Sequence, residues 1–219
     1  MLTVLHLTII MISVNNNKNN FDEGRKMDYR KAVDMLRALG TVMDERGMEP
    51  VDILVCGAMV LLMRGIIRRP TRDIDGLGLV EEREGVMVLR KPVLSAELNE
   101  AIERVGNLYG EGKHWLSVAA TILHEDTELP PDIIAESDPR SFGDRLTVRF
   151  CSRRHMVFLK LWGAVNRGEP DIGDLVEMEA TEEEAREAAA WCLEQDIDAL
   201  PRIRAVLEAI GHGKLAERL

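Results

Sequence analysis

The spacing of apolar side chains predicts a helix, a strand and a second helix in the first third of the chain. Between residues 27 and 46, apolar residues recur every three or four positions, which is the period of a helix with one buried face. Gly47 marks the end of that helix. A short apolar run rich in β-branched residues at 51–55 predicts a buried strand, which leads through Gly57 into a short helix over 59–63.

The patterns that follow predict a strand and then two helices. The strand runs from residue 73 to residue 80 and contains two glycines, which lower its strand propensity. Ser95 is a suitable N-cap for a helix over 96–105. We expect another helix over 114–123, and the paired prolines at 130–131 end this group of elements.

Alternating polar and apolar residues predict one more strand at 145–150, and the rest of the chain has helical patterns. Ser152 caps the first of these helices, and Thr181 with Glu184 forms a capping box that opens the next. Pro201 suits the first turn of a last helix. Few strands and many helices indicate an α/β (α+β) fold, in which helices flank a small mixed sheet and the C-terminal part is mainly helical.

The organisation of the chain follows from these elements. We expect an α/β core over 27–150 and a helical C-terminal region over 151–219. The apolar run at 1–14 is too short to span a bilayer and lacks both a basic start and a small-residue cleavage site. With the asparagine-rich tract at 15–20 it indicates a flexible N-terminal extension over 1–26 or an upstream start, the alternative being a segment that touches a membrane. We expect no stable membrane span.

Composition and charge restrict the function classes. The 219 residues are 46% hydrophobic and 30% charged, as in a soluble globular protein. The three cysteines have no CxxC spacing, which excludes a zinc ribbon and a disulfide scaffold and suits a reducing cytoplasm. The net charge of −10 arises in 169–198, where twelve acids face only Arg186; the other residues carry 26 acids and 27 bases. The acidic average therefore does not exclude phosphate-rich ligands.

The segment from residue 55 to residue 80 carries the most informative chemistry. Gly57 comes at the head of a predicted helix, where backbone N–H groups are free to meet a phosphate and a glycine allows close approach. Asp73 and Asp75 lie two positions apart in a predicted strand, so both side chains project to one face, about 7 Å apart along the strand. This spacing suits two carboxylates that hold a divalent cation such as Mg²⁺.

This arrangement resembles the minimal nucleotidyltransferases of the DNA polymerase β superfamily. Their signature is a Gly-Gly or Gly-Ser turn, a helix and an Asp-x-Asp strand, and the nearer likeness is to the branch of AbiEii-type toxins and related nucleotidyltransferase-like proteins. The residues that carry the first motif are Cys56-Gly57-Ala58-Met59, Gly65, Arg69, Thr71 and Asp73-Ile74-Asp75. The residues that carry a second, downstream motif are Lys160, Arg167, Asp171 and Asp174.

The resemblance implies Mg²⁺- or Mn²⁺-dependent transfer of a nucleotidyl group from a nucleoside triphosphate to a hydroxyl of RNA or protein. It also implies a toxin–antitoxin or defence role with a cognate antitoxin as partner. Asp73 and Asp75 would be the catalytic and metal-binding residues. The residues that would contact the nucleotide are Gly57, Ala58, Arg69, Thr71, Lys160 and Arg167.

Two departures from the family pattern leave a second function open. Cys56 replaces the first glycine of the pair, and the third carboxylate of the superfamily has no evident counterpart. Near Trp115, relatives often have Trp-Leu-Asn-Asp, where this chain has Trp-Leu-Ser-Val. Residues that could replace the missing carboxylate are Asp144, Asp52 and Glu111. Without such a group the chain would be a catalytically degenerate protein that binds a nucleotide or a partner.

Each motif also has a purely structural interpretation. Asp73 and Asp75 could form an acidic strand end paired with neighbouring arginines, and Lys160 and Arg167 could be solvated helix residues. Asp171 and Asp174, by their position, favour the capping and solvation of a helix start over metal binding. The acidic run at 177–187 is typical of a solvated helix face, and the three tryptophans of core anchors.

The short motif Asp73-Ile74-Asp75-Gly76 also resembles the signature of haloacid-dehalogenase-like phosphatases. In that family the nucleophilic aspartate ends a buried apolar strand. The residues before Asp73 are Arg68-Arg69-Pro70-Thr71-Arg72, which cannot form such a strand. The same objection excludes the Asp-x-Asp site of a glycosyltransferase.

Overall fold

A computed structural model describes residues 27–91, 93–118, 120 and 128–219. Within them the chain forms one six-stranded mixed sheet and eight α-helices, so the predicted α+β fold is confirmed. The helices are α1 (Tyr29–Arg46), α2 (Gly57–Met63), α3 (Ala96–Leu108), α4 (Arg153–Arg167), α5 (Asp171–Glu177), α6 (Glu182–Gln195), α7 (Leu200–Ala209) and α8 (Gly213–Arg218). The strands are β1 (Val51–Cys56), β2 (Ile74–Arg83), β3 (Val86–Arg90), β4 (Leu116–Ser117), β5 (Asp138–Ser141) and β6 (Leu146–Phe150).

The strand order β3-β2-β1-β6-β5 places β1 at the centre of the sheet. β1 runs parallel to β6 and antiparallel to β2, with a register shift between Leu54 and Val55. This pairing puts Asp75 of β2 beside Cys56, the residue that precedes Gly57. β4 pairs in parallel with the start of β2 and puts Ser117 on the other side of Asp75. One end of the sheet therefore gathers the residues of the first motif.

The helices that the sequence predicts end where their caps place them. Asp28 accepts from the amide of Lys31 at the start of α1, and Gly47 ends the helix in the left-handed conformation. Ser95 and Ser152 cap α3 and α4 through their hydroxyls. Both hydrogen bonds of the predicted capping box, formed by Thr181 and Glu184, are present at the start of α6.

The core packs α1 and α3 together and gathers the C-terminal helices around α4, which contacts α2, α5, α6 and α7. The predicted role of the tryptophans as core anchors is confirmed for Trp115 and Trp191, which are buried. Trp162 is partly buried and packs edge-on against Trp191. α4 thus links the sheet end that carries Asp75 to the rest of the C-terminal helices.

The predicted helix over 114–123 is wrong in its described part. Residues 113–118 form a turn and the short strand β4. Trp115 lies in the core and its indole N–H donates to the carbonyl of Ile102 at 2.8 Å, while the next two residues pair with β2. These contacts with distant residues outweigh the local helical pattern. Residues 119 and 121–123 and the predicted extension over 1–26 lie outside the described residues.

The sequence patterns missed β3, β5 and α8, and β2 extends beyond its predicted end to Arg83. Glu84 and Gly85, both at positive φ, form a tight turn that joins β2 to β3. β5 has the sequence Asp-Pro-Arg-Ser and gains its extended form by pairing with β6. Such strands carry no apolar alternation, so sequence periodicity could not reveal them.

Candidate functional site

Gly57 and Asp75 are in direct contact at the end of β1. Gly57 opens α2 with a φ of +79°, and a Cβ built on it would lie 2.0 Å from Oδ2 of Asp75. Any side chain at position 57 would thus overlap the carboxylate and would also require a backbone conformation that suits glycine. The fold joins the glycine turn to the acidic strand, although the two residues are far apart in the sequence.

Burial and neighbouring charges shift the pKa values of both Asp73 and Asp75 in this position. Burial raises the pKa of Asp75 to about 6, and the negative charge of Asp73 adds to that rise, while Lys160 and Arg167 oppose it. Burial also raises the pKa of Asp73, against the opposing charge of Arg72. Each shift shows that folding disfavours the ionised carboxylate, so a bound cation would relieve the unfavourable charge.

Thr71 and Ala58 are both buried, and Thr71 contacts the backbone of Asp73. The backbone of Thr71 forms two hydrogen bonds with Met27, and its hydroxyl donates to the carbonyl of Asp73 at 3.3 Å. Thr71 therefore fixes the backbone that presents Asp73. Ala58 lies in the first turn of α2 and is buried beside Gly57.

A buried ion-pair network borders the carboxylate pair. Nζ of Lys160 lies 2.7 Å from Oδ1 of Asp171 and 2.6 Å from Oδ2 of Asp174. Arg69 donates to both carboxylate oxygens of Asp174, at 2.6 and 2.7 Å, and Arg167 donates to Asp171 at 2.7 Å. We call these five residues the ionic network. It ties the segment before β2 to α4 and α5.

The structural interpretation of Asp171 and Asp174 as solvated residues at a helix start is wrong in part. Asp171 and Asp174 lie in the first turn of α5 as predicted, but they are buried and paired with cations instead of solvated. Burial alone would raise the pKa of Asp171, but Lys160 and Arg167 outweigh it and lower that pKa. The alternative of a solvated Lys160 is likewise wrong, because this side chain is buried.

The residues predicted to contact a phosphate therefore differ in how buried they are and in whether a carboxylate already pairs with them. Lys160 and Arg69 already satisfy buried carboxylates. The side chain of Arg167 is 67% exposed although it pairs with Asp171. Arg68 and Arg72 precede Asp73 and are exposed. Arg72 and Arg167, whose charges act on Asp73 and Asp75, are exposed and therefore open to an incoming anion.

The three residues that could supply a third carboxylate make other contacts in the structure. Asp52 sits near the start of β1 and pairs with Arg149 at 2.8 Å. The carboxylate of Asp44 accepts the amide of Asp144, in the turn before β6, and Glu111 pairs with Lys31. In the part of the chain that the structure describes, no group of three or more histidine, cysteine, aspartate or glutamate side chains is arranged to hold a metal ion.

The cysteine that replaces the first glycine of the motif is part of the buried packing. Burial raises the pKa of the Cys56 thiol well above its usual range, and the nearby Cys151 and Asp75 add to that rise. Cys56 therefore stays a neutral thiol between two strands. Its proximity to Cys151 follows from the parallel pairing of β1 with β6, for which no sequence motif is a signal.

The link between Arg69 and Asp174 was also missed. These residues are 105 positions apart, and the order of the two motifs was the one sequence signal that placed them in a common site.

Comparison with known proteins adds nothing to the geometry: no protein family, curated protein or solved structure matches this chain. No helix among the described residues is both long and apolar enough to cross a membrane.

Proposed function

We propose that this protein is a metal-dependent nucleotidyltransferase that uses a nucleoside triphosphate and a hydroxyl acceptor on RNA or protein. The observation that carries the proposal is the packing of Gly57 against the carboxylate of Asp75. It unites the glycine turn and the acidic strand, the two halves of the sequence motif, at one end of the sheet.

The residues at the site fit a magnesium ion. Mg²⁺ binds oxygen ligands and is held in many enzymes by one or two carboxylates, with water and substrate phosphates as its other ligands. Asp73 and Asp75 supply two carboxylates, and burial, followed by the charge of Asp73, raises the pKa of Asp75. The absence of a larger ligand group among the described residues is consistent with this mode of binding. When bound, the metal would supply charge neutralisation at the phosphates.

The chain's own residues would bind and orient the nucleotide. Exposed Arg72 and Arg167 give the surroundings of Asp73 and Asp75 a positive charge that attracts a triphosphate. Thr71 holds the backbone of Asp73 in place. In the reaction, the acceptor oxygen bonds to the α-phosphorus, the bond to pyrophosphate breaks, and the hydroxyl proton passes to solvent.

A specific observation favours a second candidate function. Ser117 of the strand beside Asp75 is followed by Val118, which stands where relatives often have an aspartate. The carboxylates of Asp171 and Asp174 are already neutralised by Lys160, Arg69 and Arg167. A catalytically degenerate protein that binds nucleotide or a partner would need no third carboxylate as a base.

Thermal unfolding with each nucleoside triphosphate, with and without Mg²⁺, tests both candidates. We expect Mg²⁺-dependent stabilisation of the wild type and none in Asp73→Ala/Asp75→Ala, because binding to the folded state alone raises its stability. The matched control is Asp34→Ala, which removes an exposed carboxylate of α1 that pairs with Arg37. It should behave as the wild type does.

A second measurement separates catalysis from binding. Release of pyrophosphate with RNA or protein acceptors would support the transferase, whereas stabilisation without release would support the degenerate protein. If no triphosphate stabilises the wild type with Mg²⁺ present, the nucleotide site itself is rejected.

A further inference from the structure

β3 forms one edge of the sheet and exposes apolar side chains there. It pairs with β2 on one side, and no residue in the described ranges pairs with its other side. Val86 is 61% exposed and Met87 is 39% exposed. An unpaired apolar edge strand is a template for another strand, and natural proteins usually protect it with charges, prolines or a covering element.

The register of the hairpin shows which backbone groups face outward. The Glu84–Gly85 turn has φ values of 52° and 79°, as in the two-residue turns that close on a hydrogen-bonded pair, here Arg83 with Val86. Hydrogen-bonded pairs alternate along an antiparallel ladder. The N–H and C=O groups of Met87 and Leu89 therefore point away from β2, toward the open edge.

The charges along this edge are arranged for antiparallel pairing with an identical strand. Glu84 of the turn lies at one end of β3, and Lys91 lies at the other end with Arg90, which also pairs with Glu81 of β2. Antiparallel pairing places the acidic end of one strand against the basic end of its copy. Parallel pairing would place like charges together, which destabilises a sheet.

We propose that β3 pairs antiparallel with β3 of a second copy of this chain, about a twofold axis at Val88. In this register Val88 lies opposite its own copy, and Met87 lies opposite Leu89 of the other chain. The outward backbone groups of Met87 and Leu89 then bond to each other, and the exposed apolar side chains are covered. Asp75 lies at the opposite end of β2, so the dimer leaves the candidate site open and does not depend on its function.

Sedimentation equilibrium of the full-length chain tests the proposal. We expect a dimer for the wild type and a monomer for Met87→Pro, because proline removes an N–H that serves only the open edge. Met87→Thr is the matched control: it shortens the same side chain but keeps the N–H, so it should remain a dimer. Circular dichroism and the melting temperature show whether the proline variant is folded.

Charge reversal provides a second test. Glu84→Lys and Lys91→Glu should each weaken the dimer about tenfold, because the twofold axis repeats each change. The double variant Glu84→Lys/Lys91→Glu restores opposite charges and should dimerise as the wild type does. Such rescue would not follow from damage to the hairpin.

Three results would overturn the proposal. The first is a wild type that stays monomeric at tens of micromolar. The second is a dimer that persists in folded Met87→Pro, which would place the interface elsewhere. The third is a monomer whose β3 edge binds an extended peptide, which would identify a different partner.

Discussion

Among single residues, the ionised carboxylate of Asp75 lowers the stability of the folded protein. Its pKa in the folded protein is about 6, against an ordinary value of 3.8. Because the folded state favours the protonated acid, the wild type loses stability as the pH rises from 3.8 to about 6. The full loss at neutral pH is about 3 kcal/mol, taking 1.36 kcal/mol for each unit of pKa shift.

Asp75→Asn should therefore raise the free energy of unfolding by up to about 3 kcal/mol at pH 7.5 without Mg²⁺. The gain should vanish below about pH 3.8, where the wild-type carboxyl is protonated in both states. Urea unfolding at both pH values checks this. Asp34→Asn, at an exposed ion pair, should change stability by less than about 0.5 kcal/mol. A destabilised Asp75→Asn at pH 7.5 would contradict the burial of a charged carboxylate here.

Gly57→Ala tests the contact between the glycine turn and the acidic strand. Its Cβ would overlap Asp75, and its φ of +79° disfavours alanine, so we expect a loss of more than about 2 kcal/mol in urea unfolding. Gly47→Ala is the matched control, because Gly47 has a φ of +61° and nothing within 4 Å of a Cβ. It should cost only the backbone strain, about 1 kcal/mol.

A double-mutant cycle isolates the overlap itself. An Asp75→Ala background removes Oδ2 and Cγ of Asp75, the two atoms nearest to the new Cβ, and leaves only the Cβ of residue 75, at 3.1 Å. Gly57→Ala should then cost about as much as Gly47→Ala. An equal cost of Gly57→Ala in both backgrounds would mean that Gly57 and Asp75 are not in contact.

Among the elements, Lys160 joins α4 to α5, and Arg69 joins the segment before β2 to the same Asp174. Removing one partner of a buried ion pair leaves an uncompensated charge, so Lys160→Met should cost about 3–5 kcal/mol in urea unfolding. Arg167→Met removes a mostly exposed partner of the same Asp171 and should cost less than about 1 kcal/mol. Similar losses in both variants would argue against burial of the ionic network.

The elements that the sequence predicted correctly are those fixed by local signals. The caps at Ser95 and Ser152 and the capping box at Thr181 depend on residues within one turn, and all three helix starts are confirmed. The predicted helix at 114–123 is wrong over 114–118, because Trp115 donates to a distant carbonyl and the next two residues pair with β2. Local patterns carry no information on such contacts.

The predictions for the candidate site were likewise correct where a sequence motif carried the signal and wrong where the packing of helices decided the contact. The motif order predicted that Gly57 would lie near Asp73 and Asp75, and the structure places Gly57 against Asp75. The pairing of Asp171 and Asp174 with cations depends on how α4 and α5 pack, so their sequence position suggested solvation instead. The catalytic and metal-binding roles of Asp73 and Asp75 stay predictions.

At the scale of the whole molecule, two groups of carboxylates give opposite pH dependences. Burial raises the pKa of Asp52, Asp73 and Asp75, so their unfavourable contribution grows as the pH rises above 3.8. Burial is outweighed by cations at Asp171 and by Arg153 and the Thr181 cap at Glu184, so both of these pKa values are lowered. Their favourable contribution to stability is complete above pH 3.8 for Asp171 and above pH 4.5 for Glu184. It is lost as the pH falls through the lower pKa that each group has in the folded protein.

These carboxylates place the stability maximum of the metal-free protein in mildly acidic solution, between about pH 4 and 6. Burial lowers the pKa of His155, which costs stability below its ordinary value of 6.5 and draws the maximum toward the upper end of this range. Millimolar Mg²⁺ should move this maximum toward neutral pH, because a cation bound by Asp73 and Asp75 stabilises the ionised carboxylates that burial disfavours. Melting temperatures across this pH range, with and without Mg²⁺, measure the shift. In Asp73→Ala/Asp75→Ala the two profiles should coincide. Coincident profiles in the wild type would show that these carboxylates bind no Mg²⁺ in the absence of a nucleotide.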